Sequence, residues 1–241
     1  MERTSVKAVI LAAGRGSRLD SVPVSKPLCP VNGRPLIEWV ILAAHKAGIR
    51  EFVVVTGHAR EQVERHLTAF SRGQAFSMAF VPNDEWEKEN GLSVYAARHL
   101  AGDRFVLLMS DHIFDADILT RLMAQPLDTA DLVLAVDYRI TDNPTVDLDD
   151  VTRVRVEHGR IADIGKKIPA YDAFDTGIFL CTSALFDALR ESQLRGDFTL
   201  SGGVRILAER RTARVMNILG GFWIDVDDVN ALQKAVVLAA P

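Results

Sequence analysis

Short apolar runs alternate with amphipathic stretches along the first half of the chain. The runs are rich in β-branched residues and have the length of buried strands, whereas the stretches between them repeat apolar residues at helical spacing. The predicted strands cover 6–11, 52–56, 76–81, 105–109 and 132–136, and the predicted helices cover 34–47, 61–70 and 93–100. This alternation predicts an α/β fold, with a mostly parallel, Rossmann-like sheet flanked by helices.

The pattern changes after the fifth predicted strand. Residues 137–150 are rich in Asp, Pro and Thr and lack helical spacing. Two alternating strands follow, 151–157 and 160–164, joined by the hairpin signal His158-Gly159. We therefore predict a small antiparallel insertion, over about 138–180, that builds a pocket for a second substrate. Predicted helices over 183–190, 203–211 and 229–238 and a strand over 215–219 complete the chain. Asp227 or Asp228 is expected to cap the last of these helices.

Composition places the chain among ordinary globular proteins. Its 241 residues, 48% hydrophobic and 25% charged, suit a single domain over 1–241. The net charge of −4 gives no basic surplus for non-specific nucleic-acid binding. Cys29 and Cys181 stand far apart among apolar neighbours and are expected to be small buried hydrophobes. No apolar run has the length of a membrane helix and no signal peptide is evident, so we expect a cytoplasmic protein that is not membrane-embedded.

Two glycines, Gly14 and Gly16, follow the first predicted strand. Glycine allows a tight bend and a close ligand approach, and successive backbone N–H groups in such a turn can bind an anion. Arg18 and Lys26 add positive charge for phosphate oxygens. We therefore predict a loop that binds the phosphates of a nucleotide. The dinucleotide fingerprint would need a glycine where Leu19 stands, and the alternative is an ordinary strand-to-helix turn with solvated basic residues.

Two aspartates add acidic chemistry. Asp111 follows a buried strand, where a carboxylate can face a cleft and bind a hard cation, so we predict a Mg²⁺ ligand. The alternative, a helix N-cap, fits Asp115 or Asp117 better. Asp225 alternates with apolar neighbours and points away from them. His112 is interpreted as a packing or hydrogen-bonding residue.

Two acids and a basic loop suit nucleotidyl transfer. Its reacting phosphates repel one another, so a metal ion and cations must neutralise and orient them. The attacking phosphate is already ionised and needs no general base, in agreement with the lack of a Ser/His/Asp or Cys/His arrangement. Asn90-Gly91 is a turn signal near a strand end, where α/β sheets bind ligands; a solvent loop capped by Ser93 is the equal alternative. Asp175-Thr176-Gly177 is predicted as a turn that leads into a returning strand.

These motifs together resemble the sugar-phosphate nucleotidyltransferases, which have a GT-A-like fold. The matching segments are Leu11 to Leu19 with Lys26-Pro27, Asn90-Gly91-x-Ser93, Ser110-Asp111-His112, Ile164-Gly165-Lys166, Asp175-Thr176-Gly177 and Phe222-Trp223-x-Asp225-Val226-Asp227. They look most like the inositol-1-phosphate cytidylyltransferases, which make CDP-inositol from CTP and L-myo-inositol 1-phosphate for phosphoinositol lipids and solutes. Asp228-Val229 departs from the Thr-Pro common in that group but leaves Asp225 intact.

The resemblance implies a role for each matched residue. The nucleotide-binding residues would be Leu11, Ala12, Ala13, Gly14, Gly16, Ser17, Asn83, Asn90, Gly91 and Ser93. Arg18, Lys26 and Lys166 would be catalytic, Asp111 and Asp225 would bind Mg²⁺, and Asp175, Thr176 and Gly177 would contact the acceptor together with Lys166. The implied partners are CTP and a phosphorylated cyclitol or sugar, with a homodimer as a possible assembly.

Several alternatives accompany this hypothesis. Many members are fused to a membrane-embedded transferase domain; this chain ends at Pro241, so we expect its product to pass to a separate protein. The acceptor could instead be phosphocholine, a heptose or hexose 1-phosphate, or another cyclitol phosphate. A choline pocket would require an aromatic cage, and the insertion contains three aromatic residues that could form one: Tyr138, Tyr171 and Phe174. A non-catalytic, nucleotide-binding regulatory subunit is a further alternative. Such a protein would not need Arg18, Lys26, Asp111 and Asp225, all of which this chain retains.

Overall fold

A computed structural model describes residues 6–19 and 24–239 of the chain. Its strands are β1 (Lys7–Ala12), β2 (Pro30–Val31), β3 (Arg34–Pro35), β4 (Glu51–Thr56), β5 (Ser77–Pro82), β6 (Arg104–Met109), β7 (His112–Phe114), β8 (Leu132–Asp137), β9 (Arg153–Glu157), β10 (Arg160–Gly165), β11 (Ala173–Thr182), β12 (Ala213–Asn217) and β13 (Trp223–Asp225). Its α-helices are α1 (Leu36–Lys46), α2 (Arg60–Phe70), α3 (Asn90–Ala96), α4 (Ala116–Met123), α5 (Ala184–Leu194), α6 (Leu200–Glu209) and α7 (Val229–Leu238).

Nine strands form one twisted sheet in the order β5-β4-β1-β6-β11-β8-β12-β10-β9. The first four strands are parallel, with apolar residues of β1 in register with those of β4 and β6. β11 runs antiparallel between β6 and β8, and β8 and β12 are again parallel. The predicted α/β fold is therefore confirmed, and its sheet has a parallel half and a mixed half.

The predicted antiparallel insertion extends this sheet. β9 and β10 form a hairpin through His158 and Gly159, whose φ angles of 51° and 73° lie in the left-handed region. β10 pairs with β12 and β9 also pairs with β11, so the hairpin closes against the end of the sheet. The loop that leads to it, residues 138–150, lines a cavity together with Met109 and Asp111, which lie at the carboxyl end of β6 and just after it.

Apolar side chains fill both faces of the sheet. One cluster packs α1, α2 and α4 against one face, and a second packs α3, α5 and α6 against the other. Burial on both faces explains why the central strands are almost continuously apolar. A third, smaller cluster lies beneath α7 and includes Ile113 and Ile224 from the two-stranded ribbon of β7 and β13. Among the described residues, no helix has the length and apolar character needed to cross a bilayer.

Candidate active site

The β7–β13 ribbon brings two distant aspartates together. Asp225 pairs in register with His112, and the Val226 N–H donates a hydrogen bond to the Asp111 carbonyl at 3.0 Å. Ile113 and Ile224 point into the small apolar cluster, which leaves their polar neighbours on the opposite side. The His112 Nδ1 lies 2.8 Å from an Asp111 oxygen and 3.6 Å from an Asp225 oxygen. The ribbon therefore builds a compact cluster of two carboxylates and an imidazole.

Lys26 brings the glycine-bearing loop to this cluster. Its side chain is buried, and its ammonium contacts the carboxylates of Asp111 and Asp227. Gly16 has a φ of +67°, and a Cβ there would lie only 2.5–2.9 Å from the Lys26 side chain. Glycine is thus required at position 16 because the lysine passes directly against its backbone.

Arg18 and Lys166 join this cluster through Asp150, and Arg18 also contacts Asp227. The Arg18 guanidinium lies 2.8 Å from carboxylate oxygens of both Asp150 and Asp227, and Lys166 pairs with the other oxygen of Asp150. The loop cations and the insertion lysine are therefore linked through two aspartates to which the sequence analysis gave no role in the site.

Charge and burial shift the protonation of this cluster. Burial alone would lower the pKa of Lys26, but the neighbouring carboxylates, Asp111 foremost, outweigh burial and raise it above the ordinary value. Burial disfavours the Asp111 anion, yet Lys26 and His112 hold its pKa well below the usual range. Burial raises the pKa of Asp225 to about 7, aided by the negative charges of Asp111 and Asp227. Burial would lower the pKa of His112, but Asp225 and Asp111 raise it to about 9.

The cluster has the donor set and the unmet polar group expected of a cation site. The Asp225 Oδ1 atom is buried and accepts no hydrogen bond from the described residues. Its oxygens lie within 4.8 Å of ligand atoms in two groups, one formed with Asp111 and His112 and the other with Asp150 and Asp227. Carboxylate oxygens suit hard divalent cations, so these residues fit a divalent metal ion.

A cavity of about 480 Å³ opens beside the acid cluster. Its walls come from β6, β11, the β7–β13 ribbon, the 138–150 loop and the amino ends of α6 and α7. The lining includes seven aspartates: Asp111, Asp147, Asp150, Asp175, Asp225, Asp227 and Asp228. Lys166 and Lys234 add positive charge, and Asn90, Thr145, Thr152 and Ser201 add uncharged hydrogen-bonding groups. The cavity therefore suits a polar ligand that carries hydroxyl groups, and an anionic group would need Lys166, Lys234 or a bound cation to offset the carboxylates.

The Asp175-Thr176-Gly177 segment is part of β11, not a turn before it. The register of β11 against β8 shifts between Asp175 and Phe179, and Gly177 has a φ of +73°. The Asp175 carboxylate accepts a hydrogen bond from the Gly177 N–H at 2.7 Å and lines the cavity; burial raises its pKa to about 6. Thr176 does not face the cavity, because its fully buried hydroxyl donates to the Ala135 carbonyl.

Asn90 and Gly91 begin α3 instead of forming a turn before it. The Asn90 Oδ1 accepts the Leu200 N–H at 2.8 Å, so the side chain joins α3 to the start of α6. A Cβ on Gly91 would lie 2.5 Å from the Phe198 carbonyl oxygen, which explains the glycine. The helix starts earlier than predicted because a distant segment, not a local cap, satisfies Asn90.

Asn83 and Ser93 lie away from this cavity. Both are buried, and the Asn83 amide donates to the Ser93 hydroxyl at 2.9 Å, which ties the end of β5 to α3. Asn83 borders a separate, more open depression with Gly57 and Trp86. These contacts give both side chains a structural partner within the protein.

The other predicted nucleotide-binding residues lie at the end of β1 and in the loop after it. Leu11, Ala12 and Ala13 are buried at the end of the strand, whereas Gly14 and Ser17 are exposed. The Leu11 and Ala13 carbonyls accept backbone N–H groups from Ser110 and His58. These bonds anchor the start of the loop to β6 and to the end of β4.

Residues 8–212 match the family of the MobA-like NTP transferase domain. The chain belongs to this family. The match runs from β1 to the boundary of β12, so it includes Lys26, Asp111 and the insertion, while Asp225 lies beyond it.

Individual relatives of this NTP transferase carry more specific names. A Rubrobacter xylanophilus protein named bifunctional IPC transferase and DIPP synthase is 35% identical, over 96% of this chain and 51% of the relative. An Archaeoglobus fulgidus protein of the same name is 32% identical, over 98% of this chain and 44% of the relative. The chain thus spans about half the length of these curated relatives. The structure titled inositol-1-phosphate CTP transferase from T. maritima superposes with a TM-score of 0.84, at 23% identity and 98% coverage of both chains.

Sequence reasoning missed three contributors to the site of this NTP transferase. Asp227 was interpreted as a possible cap of the last helix, but Asp228 fills that position, accepting the Ala231 N–H at 2.7 Å. The alternation of Asp225 and Asp227 across one apolar residue was the available signal. Asp150 stands in an Asp-rich irregular stretch, where no local pattern distinguishes one carboxylate from another. His112 packs against Trp223 and Gly177, as a packing residue would, but also joins the acids.

Proposed function

We propose that this NTP transferase is a Mg²⁺-dependent cytidylyltransferase that joins CTP to L-myo-inositol 1-phosphate, forming CDP-inositol and pyrophosphate. The observation that carries the proposal is the meeting of Lys26 and Arg18 with Asp111 and Asp225 in one acid–base cluster. This cluster borders a polar cavity large enough for a phosphorylated cyclitol.

The loop after β1 provides the triphosphate site in this proposal. Gly14 and Gly16 allow close approach of phosphate oxygens to the backbone, and Arg18 and Lys26 neutralise their charge. Both cations contact carboxylates in the structure, so phosphate oxygens would replace carboxylate oxygens as their partners. The buried end of β1 and the first turn of α3 at Gly91 would border the base.

Asp111 and Asp225 would hold the Mg²⁺ ion. Asp225 supports this assignment most strongly, because its buried Oδ1 accepts no hydrogen bond within the described part of the chain and like charges surround it. When bound, the ion supplies charge neutralisation and orientation of the α-phosphate. His112 holds Asp111 in place through its Nδ1 contact.

The acceptor would lie along the remaining walls of the cavity. Lys166 would bind its phosphate, and Asp175 would accept hydrogen bonds from ring hydroxyls. Threonine, serine and asparagine side chains on the same walls favour a polyhydroxylated acceptor. The residues suggested for a choline cage do not line this cavity: Phe174 is fully buried, and Tyr171 lies beneath the Arg153 guanidinium.

The reaction follows from this placement. An oxygen of the acceptor phosphate forms a bond to the α-phosphorus of CTP as the bond to the β-phosphate bridging oxygen breaks. The electron pair leaves with pyrophosphate, and the attacking oxygen is already ionised, so no residue must remove a proton. Lys26, Arg18 and Lys166 reduce the repulsion between the two anionic phosphates and align them.

The geometry supports a nucleotide and a phosphorylated, polyhydroxylated acceptor, and the names of the relatives support CTP and inositol 1-phosphate as these substrates. A panel of the four ribonucleoside triphosphates against inositol 1-phosphate, phosphocholine and hexose 1-phosphates, with pyrophosphate release as the readout, tests it. We expect release from CTP only with inositol 1-phosphate and Mg²⁺. Turnover of UTP or GTP without a response to CTP would reject the base assignment, and turnover with phosphocholine would reject the acceptor.

A further inference from the structure

Asp137 is a buried carboxylate outside the acid cluster, at the end of β8. It is only 1% exposed, yet it accepts hydrogen bonds from three other residues. The donors are the Arg139 backbone and guanidinium, at 2.8–3.2 Å, and the Asn143 amide and the Trp223 indole, each at 2.9 Å. A charged group buried this completely is retained only where its hydrogen bonds are fully met.

One arm of this network leads to the metal-binding acids. Trp223 is 2% exposed and begins β13, two residues before Asp225. Its ring stacks on His112, with centroids 6.2 Å apart and planes 24° from parallel. The indole N–H bond to Asp137 therefore anchors the strand that carries Asp225 and the imidazole that contacts Asp111.

The second arm leads to the cavity wall formed by the 138–150 loop. The Asn143 Oδ1 accepts the Thr145 hydroxyl at 2.8 Å, and Thr145 lines the cavity. The same loop carries Asp150, the partner of Arg18 and Lys166. Asn143 thus connects the buried carboxylate to the wall that would face the acceptor.

We propose that Asp137 is a positioning residue that fixes the acid-bearing strand and the 138–150 loop relative to each other, through separate Trp223 and Asn143 arms. The proposal rests on the proposed function for the identity of the substrates, but its geometry does not depend on them. A carboxylate suits this place because it only accepts hydrogen bonds, and all its partners are donors. Burial would raise the pKa of Asp137, but hydrogen bonds from Arg139 and Trp223 outweigh burial and lower it.

Single-arm variants separate the two connections. Trp223→Phe removes the indole N–H and keeps an aromatic ring, and Asn143→Ala removes the loop contact. Trp39→Phe is the matched control, because its indole donates to the Val31 carbonyl at 3.1 Å and Trp39 does not line the cavity. Asp137→Asn, which turns an NH₂ group toward donors, disrupts both arms if it folds.

Four readouts are measured for each variant: hydrogen–deuterium exchange, the Mg²⁺-induced shift in Tm, the Mg²⁺ concentration at half-maximal rate, and the acceptor KM. For Trp223→Phe we expect faster exchange in 222–228, a smaller shift in Tm and a Mg²⁺ requirement raised about threefold to tenfold. Because Trp223 also lines the cavity, the acceptor KM is expected to rise as well, but by a clearly smaller factor than the Mg²⁺ requirement. For Asn143→Ala we expect faster exchange in 139–150 and an acceptor KM raised about threefold to tenfold, with an unchanged response to Mg²⁺.

The proposal is rejected if either variant changes both segments and both constants alike, or if neither differs from Trp39→Phe. A wild-type protein that fails to turn over CTP with inositol 1-phosphate would reject the proposed function instead. In that case hydrogen–deuterium exchange and the Mg²⁺-induced shift in Tm still decide the role of Asp137, since neither requires turnover.

Discussion

Replacing Asp225 with asparagine is expected to have opposite effects on the stability of the protein and on the proposed metal binding. Asp225 is half-buried beside two other carboxylates, and its pKa is raised from 3.8 to about 7. The folded state therefore disfavours the ionised form. Asp225→Asn keeps the shape of the side chain and removes its charge, so we expect a more stable protein in metal-free buffer and a weaker response to Mg²⁺.

The size of the effect follows from the raised pKa. At about 1.4 kcal/mol per pH unit, the difference between folded and unfolded pKa values corresponds to at most about 4 kcal/mol. The side chain is 33% exposed, and solvent screens part of this cost, so we expect a gain of about 1–2 kcal/mol. For a chain of this length that gain raises Tm by about 2–8 °C.

The pH dependence has a definite sign. Above about pH 7, Asp225 is ionised in both folded and unfolded chains, and the wild-type protein carries the full cost. As the pH falls from about 7 to about 4, the folded chain takes up the proton first, so the cost and the advantage of Asp225→Asn both disappear. The stability difference between variant and wild type should therefore be largest at about pH 8 and vanish below about pH 4.

Thermal unfolding in EDTA and in Mg²⁺ checks this prediction. The control is Asp149→Asn, which removes the same charge from an exposed position outside the acid cluster. Wild type and the control should gain stability in Mg²⁺, and Asp225→Asn should gain little, because a ligand is lost. A lower Tm for Asp225→Asn in EDTA would refute the electrostatic reasoning. A Mg²⁺-induced rise in Tm of Asp225→Asn as large as that of wild type would refute the metal assignment.

Three further substitutions test other parts of the site. Lys26→Met removes the buried cation that contacts both Asp111 and Asp227, so denaturant unfolding in EDTA should show a loss of about 3 kcal/mol and kcat should fall about 10²–10³-fold. Lys7→Met, at a solvent-accessible pair with Glu51, should do neither. Gly16→Ala should cost about 1–3 kcal/mol and raise the KM for CTP, whereas Gly14→Ala, which meets no atom within 4 Å, should leave stability unchanged. Asp175→Asn should raise stability by about 1–2 kcal/mol at about pH 8 but not at about pH 4, while acceptor KM rises; stability lost at pH 8 would contradict the buried-charge argument.

Local patterns were sufficient to predict most of the fold. The apolar runs of β1, β4, β6 and β8 and the helical periodicity of α1 follow from burial on both faces of the sheet. Asp228 caps α7, one of the two caps expected from the sequence. Such features depend on neighbours in the sequence, and for that reason a single sequence reveals them.

Tertiary contacts decided the rest. Asn90 begins α3 because its side chain meets Leu200, a partner that no local rule could supply. Thr176 was expected at the acceptor, but a bulge in β11 buries its hydroxyl against Ala135. Asp150 reaches the site only because the 138–150 loop folds over the sheet. Strand-end carboxylates were predicted correctly as neighbours of a cleft, whereas residues delivered by an irregular loop carried no signal.

The most direct test of nucleotidyl transfer in this cleft is ³¹P NMR of the wild-type protein with CTP, inositol 1-phosphate and Mg²⁺. We predict that resonances of a pyrophosphate diester and of free pyrophosphate grow in equal amounts, and that neither grows in EDTA. Formation of CMP with the inositol phosphate unchanged, or no reaction of CTP while another triphosphate is consumed, would contradict the account.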